Sequence, residues 1–203
     1  MTRDWLDGAR GALAAERILD AAGRVFLARG VHEADVADIA AEAGCSRATV
    51  YRYFENRHAL KTAYMHREAR RVAEQVVREA AAYDDPGAQL TETVLGALRI
   101  VRETPVLAAW FAPSGGAASA QLAAASQVIE SLCAAFLGAD DPGEDLPERA
   151  RWLVRVILSL LTLPGRDEDD ERAMLRRFVV PGLFAEDPAD VVVGGTVAAA
   201  DGR

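Results

Sequence analysis

Ile39-Ala40-Ala41-Glu42-Ala43-Gly44-Cys45-Ser46-Arg47-Ala48-Thr49-Val50-Tyr51-Arg52-Tyr53-Phe54 is the stretch on which the fold turns. It reads as two short helices joined by a tight turn. Asp35 caps a helix over Val36–Ala43, Gly44 ends it by accepting positive φ, and Ser46 caps a second helix over Arg47–Tyr53. On this reading Ile39, Ala40, Ala43, Val50 and Phe54 face inward, while Arg47, Thr49, Tyr51, Arg52 and Tyr53 remain outside. That is the requirement of a helix-turn-helix, in which one helix lies across the DNA backbone and the next enters the major groove.

Outward from this stretch the pattern stays helical. Ile18, Leu19, Ala22, Val25 and Phe26 recur on one helical face, predicting a first helix over 10–29 closed by Gly30. A fourth helix is predicted over 57–83. Breakers then divide the remainder: Asp84-Asp85-Pro86-Gly87, Thr104-Pro105, Pro113-Ser114-Gly115-Gly116, the segment 138–147, Pro164-Gly165 and Pro181-Gly182. The result is an all-α chain of about nine helices. Composition agrees, since 51% hydrophobic residues with only 6% aromatics, and much alanine, favour packed helices over sheet.

The net charge of −8 is unevenly distributed. Residues 44–71 hold Arg47, Arg52, Arg57, Lys61, Arg67, Arg70 and Arg71 against Glu55 and Glu68, a local +5 that leaves −13 for the rest. Screening over about 8 Å lets a basic surface attract phosphate despite an acidic remainder. Basic residues are 22 Arg and the single Lys61, a usage expected of a GC-rich genome.

Other function classes find little support. Asp4 and Asp7 interrupt any secretory leader, and the longest apolar run, 152–163, contains Arg155 and falls short of the roughly 20 residues a membrane span needs. A cytoplasmic protein with no membrane partner is expected. Cys45 and Cys133 are too few and too isolated for a disulfide framework or zinc site and are read as reduced thiols. No nucleophile elbow, phosphate-cradling glycine loop or dinucleotide fingerprint occurs. His32-Glu33 is followed by Val36 where a zinc-protease motif needs its second histidine. His58 and His66 are too far apart on one helix to share a metal and are expected at surface or phosphate-facing positions. Neither an enzyme nor a cofactor nor a metal is expected.

The segment 39–54 resembles the DNA-binding motif of TetR-family regulators, matching its pattern at Ile39-Ala40, Ala43-Gly44, Ser46, Thr49, Tyr51 and Tyr53-Phe54. The likeness is strong over 12–72 and extends to the rest as a nine-helix plan. It implies an N-terminal arm (1–11), a DNA-binding domain (12–72) and an effector-binding and dimerisation domain (73–185); the last residues (186–203), rich in Ala, Gly, Val and Asp without helical period, read as a poorly ordered tail. It places Ser46, Arg47, Ala48, Thr49 and Tyr51 at the groove, with Arg52 beside them and Tyr53, Arg57 and Lys61 on phosphates. Arg47 can donate two hydrogen bonds to guanine and the Thr49 methyl can meet a thymine methyl, whereas phosphate contacts set register. Arg67, Arg70 and Arg71 are expected to be solvated.

Two departures stand out. Ala34 and Asp35 occupy places where family members often carry Thr, so a phosphate contact from the start of the second helix is in doubt. Cys45 stands where a Val-like residue is common; it is read as a small apolar filler, with an oxidant-sensing thiol beside Arg47 as the sharper alternative.

Further along, the resemblance implies a pocket in the C-terminal helices. Its expected walls are Leu107, Trp110 and Phe111, then Leu122, Val128 and Ile129 on one following helix, and Met174, suited to a lipophilic or aromatic effector. The stretch 148–163 is apolar nearly all round and 169–180 adds to it, so Trp152, Val156, Leu160, Leu175, Phe178 and Val179 are the expected dimer contacts. The whole reads as a homodimeric, ligand-responsive repressor on palindromic double-stranded operator DNA. An activator or an effector-independent DNA binder of the same fold is the alternative.

Overall fold

The computed structural model describes residues 4–112, 116–138 and 145–184; the expected tail over 186–203 lies outside them. Helix α1 spans Asp4–Arg29 and so begins inside the segment expected to be an arm. No proline interrupts that segment, so the hydrogen-bond ladder extends back through it. Gly30 ends α1 at φ 87°.

The turn motif forms as its caps require. Asp35 accepts from the Asp38 N–H at 2.8 Å to start α2, Val36–Ala43. Gly44, at φ 67°, donates to the Ala41 carbonyl at 3.1 Å while Cys45 donates to Ala40 at 2.9 Å, the paired bonds of a Schellman turn. Ser46 Oγ then accepts from the Thr49 N–H at 3.1 Å to start α3, Arg47–Tyr53. Asn56 caps α4, Arg57–Ala80, which stops short of the expected Tyr83.

Pro86 opens α5, Pro86–Glu103, and Pro105 opens the single turn α6, Pro105–Ala108. The stretch expected to form one helix after Gly116 is two, α7 (Gly116–Ala124) and α8 (Gln127–Leu137), bent by 62°. Ser126 causes the break: its side chain caps α8 through the Ile129 N–H at 3.3 Å and bonds His66 Nε2 at 2.8 Å. Helix α9 is Leu146–Thr162. Then α10 (Glu168–Met174), a π-helical turn (Leu175–Val179) and α11 (Val180–Phe184) run on without a gap. The π turn widens the ladder directly before Pro181, where a proline ring would otherwise clash, and carries the helix past the expected stop. Counting 168–184 as one, ten helices and no strand occur among the described residues, one helix more than the sequence predicts.

Two apolar cores result. The first joins α1 to α4 around Phe26, Ile39, Val50, Phe54, Leu60 and Tyr64, with Trp110 closing it from beyond α6. Gly23 allows the close approach of α1 and α4, since a Cβ there would stand 2.9 Å from Tyr64 Oη. The second core packs Leu90, Val94 and Leu98 of α5 against Leu137, Leu153, Leu160, Leu175, Val179 and Leu183. Of the expected dimer contacts, Leu160, Leu175 and Val179 are 8%, 1% and 8% exposed and are covered within this chain by the second core. Val156 packs partly on the same core, whereas Trp152 and Phe178 project outward.

Polar groups fasten the helices. Arg67, expected in solvent, is instead 11% exposed and bonds Glu16 at 3.1 Å and Asp20 at 2.8 Å on α1. Arg102 grips the buried Glu171 with two hydrogen bonds, 2.9 and 2.7 Å, while the Gly165 N–H donates to Glu171 at 2.9 Å. This ties α5 to the loop before α10.

Candidate nucleic-acid interface and the cavity behind it

Helix α3 presents its outer side to solvent. Ser46, Arg47, Ala48, Tyr51 and Arg52 are exposed, and Thr49 is half-buried with Oγ1 2.9 Å from Ser46 Oγ. Arg52 donates to Tyr53 Oη at 3.1 Å with its guanidinium 5.1 Å from that ring's centroid. Tyr53 is less free than the sequence predicts, being packed in part on the first core. Salt bridges Arg24–Glu42 (2.6 Å) and Arg29–Asp38 (2.8 Å) pin α2 to α1 and so set the attitude of the turn.

The start of α4 supplies the second basic cluster. Arg57 donates to the His32 carbonyl, and its Nε is buried without a partner among the described residues. Lys61, half-buried beside it, has its pKa pushed down to about 8, first by burial and then by the Arg57 charge, with Glu33 opposing. The Asp35 carboxylate is occupied as the α2 cap; the Asp38 N–H holds its pKa below the usual range, helped by Arg47. Cys45 packs against the first core, as an apolar turn residue does. His66, expected at the surface, is half-buried against Ser126, and burial with the nearby Arg70 lowers its pKa. Among the described residues no cluster of His, Cys, Asp or Glu is placed to hold a metal, and no single helix is long and apolar enough to cross a membrane.

Behind the α1–α4 unit, the head, lies a partly open apolar cavity of about 190 Å³, walled by α4 to α9 and the segment after α6. Four of the expected wall residues line it: Leu107, Trp110, Phe111 and Ile129. Three do not. Leu122 packs on the first core and Met174 on the second, and Val128, the neighbour of Ile129 on α8, lies about 100° around that helix from it and off the wall. The sequence reading missed the α4 wall, Met65, Ala69, Val72 and Val76, and the α5 wall, Leu90, Val94, Ala97 and Val101. Their i, i+4, i+7 spacing was the available signal.

Cavity and head share a wall. Tyr64 and Trp110 stack at 6.0 Å with planes 1° apart, and Phe26 meets both edge-on at 5.1 and 5.8 Å. Burial raises the Tyr64 pKa to about 12, so its hydroxyl stays protonated. Anything that displaces α4 or Trp110 from the cavity side therefore presses on the core that carries α3.

Residues 18–64 match the signature described as bacterial regulatory proteins, tetR family. Over 181 residues the chain is 49% identical to an uncharacterized HTH-type transcriptional regulator of Mycobacterium tuberculosis, covering 88% of this chain and 89% of that one. Two solved structures share the fold. One is the TetR family repressor AlkX from Dietzia sp. strain DQ12-45-1b, implicated in biodegradation of n-alkanes, with TM-score 0.65, 23% identity and coverage of 83% of this chain and 94% of that one. The other is RolR in complex with resorcinol, with TM-score 0.66, 18% identity and coverage of 89% and 97%.

Proposed function

The chain belongs to the TetR family of bacterial transcriptional regulators, and from that premise we propose that it is a homodimeric repressor released from operator DNA by a small, mostly apolar effector. The observation that carries the reading is the wall shared by head and cavity, where Tyr64 and Trp110 belong both to the core of the DNA-reading unit and to the lining of a partly open apolar space.

The roles follow from exposure and chemistry. Arg47, near the amino end of α3, reads a guanine edge; Ser46, Ala48, Thr49 and Tyr51 complete the groove-facing surface. Arg52, Tyr53, Arg57 and Lys61 hold phosphates and set register. A two-fold dimer must place its two α3 helices about 34–36 Å apart to meet successive major grooves. Trp152 and Phe178, 50% and 67% exposed on α9 and the π turn, are the apolar side chains offered to a second subunit. An effector releases DNA only by binding a differently spaced state more tightly, with a coupling typically of about 1–3 kcal/mol. Ligand between α4 and the α5–α9 walls moves α4, and α4 carries Arg57 and Lys61 at its head end. RolR, a structural neighbour, holds the single-ring ligand resorcinol, in keeping with a small effector here.

The test is a pull-down of genomic fragments by purified protein at about 150 mM salt, where weak non-specific contacts are suppressed. A palindrome overlapping a promoter core is the expected product. Recovery of no specific fragment by protein stripped of ligand through unfolding and refolding would refute the reading.

A further inference from the structure

We propose that the effector is an uncharged, mainly apolar molecule carrying at least one hydrogen-bond-accepting oxygen, held by donors from Thr93, Ser119 and Trp110. This rests on the effector reading above and specifies its chemistry.

Charge narrows the class first. Among the described residues no lysine or arginine lines the cavity, so an anion would enter without a counter-charge, and unpaired burial of a carboxylate is strongly unfavourable. The one carboxylate on the wall among the described residues, Glu68, already accepts from Arg67 at 2.9 Å and Arg71 at 3.1 Å, so a cation would have to displace them. Cys133, also on the wall, is held neutral, burial pushing its thiol up to about 12. A dry cavity of about 150 Å³ accepts benzene, so 190 Å³ accommodates at least one ring.

Unpartnered polar atoms then supply the remaining feature. Thr93 Oγ1, Ser119 Oγ and Trp110 Nε1 are buried with no hydrogen-bond partner among the described residues, and all three residues line this cavity. Buried polar groups are almost always paired, so three orphans around one cavity call for a missing partner. A helical threonine can satisfy its own hydroxyl on the preceding turn. Thr91, in the same helix, donates to the Gly87 carbonyl at 2.8 Å, and Thr162 donates to Leu158 at 2.8 Å, whereas Thr93 makes no such bond. Ser119 and Trp110 are 2% and 4% exposed, so bulk water does not serve them. A ligand oxygen bound here sits next to the Tyr64–Trp110 stack, the contact through which the head is reached.

Intrinsic tryptophan emission of the full-length protein, titrated at pH 7 with isopropylbenzene, acetophenone and benzoate, tests this with three probes of equal non-hydrogen atom count. The expected result is binding of both neutral probes and none of benzoate. The double variant Ser119→Ala, Thr93→Val should weaken acetophenone about fivefold, the worth of one net hydrogen bond, and leave isopropylbenzene within about twofold. Thr93→Val alone, nearly isosteric, serves should the double variant fail to fold. Benzoate binding as tightly as acetophenone, equal losses for both neutral probes, or no binding by any probe would overturn the proposal. Anisotropy with operator DNA run alongside separates the readings: intact specific DNA binding with the wrong ligand pattern removes the ligand class and leaves the regulator.

Discussion

Operator binding should weaken as the pH rises from 7 to 9, and Lys61 should be the reason. Its ammonium is half-buried next to Arg57, and both effects disfavour the charged form, bringing the pKa of the DNA-free protein down to about 8. A phosphate contact needs that charge, so in the complex the proton is held and the pKa rises. Below pH 7 nearly every Lys61 is already charged and binding takes up no proton. At pH 9 only about a tenth is charged, so each subunit must gain a proton on binding and loses about tenfold in affinity. Two subunits on one palindrome compound this to about a hundredfold. A lysine with an ordinary pKa would be almost fully charged throughout and would contribute nothing. The assay is fluorescence anisotropy of labelled operator at constant ionic strength, comparing wild type with Lys61→Arg, whose guanidinium stays charged. The expected outcome is a steep decline for wild type and a shallow profile for the variant. Identical profiles would refute either the phosphate role or the effect of the Arg57 neighbour.

Replacing Arg47 with alanine should relax preference at one base pair per half-site, at about 1–3 kcal/mol, with little change in salt slope; equal losses on every sequence would move Arg47 to the phosphate group of residues. Trp152→Asp, placed at an exposed position, should yield a folded monomer in sedimentation velocity, and a persisting dimer would put the interface elsewhere. Glu171→Gln should lower unfolding stability by about 2 kcal/mol, less than a fully buried pair because Arg102 is partly solvated. The Arg102 hydrogen bonds hold the Glu171 pKa below its ordinary value of 4.5, so the wild-type contribution is complete above that pH and is lost as the pH falls through the lower folded value. Denaturant melts of both proteins across that window should therefore converge in acid, and parallel curves would exclude the linkage.

Much of the head was legible in the linear chain because its signals are local. A cap acts over three residues, a left-handed glycine over one and a helical stripe over two turns; thus Asp35, Gly44, Ser46 and the inward set Ile39, Ala40, Val50 and Phe54 could be placed before any packing was known. The clustered positive charge is equally local. Tertiary structure decided what depends on partners distant in sequence. Arg67 looks like a solvated helix residue until α1 brings Glu16 and Asp20 to it. His66 looks like a surface residue until Ser126 breaks a helix beside it, and only the packing of α7 and α8 decides that Ile129 joins the cavity wall while Leu122 and Val128 do not. Leu160, Leu175 and Val179 carry the same apolar character as Trp152 and Phe178, and only the packing of α5 against α9 and the π turn sorts inner from outer. The sequence by itself thus determined an all-helical chain with a helix-turn-helix and a basic reading surface, since local hydrogen bonding and periodicity suffice for those. The cavity, its unpartnered donors and the aromatic stack joining it to the head were decided by the tertiary structure, because an empty space is defined by all its walls at once.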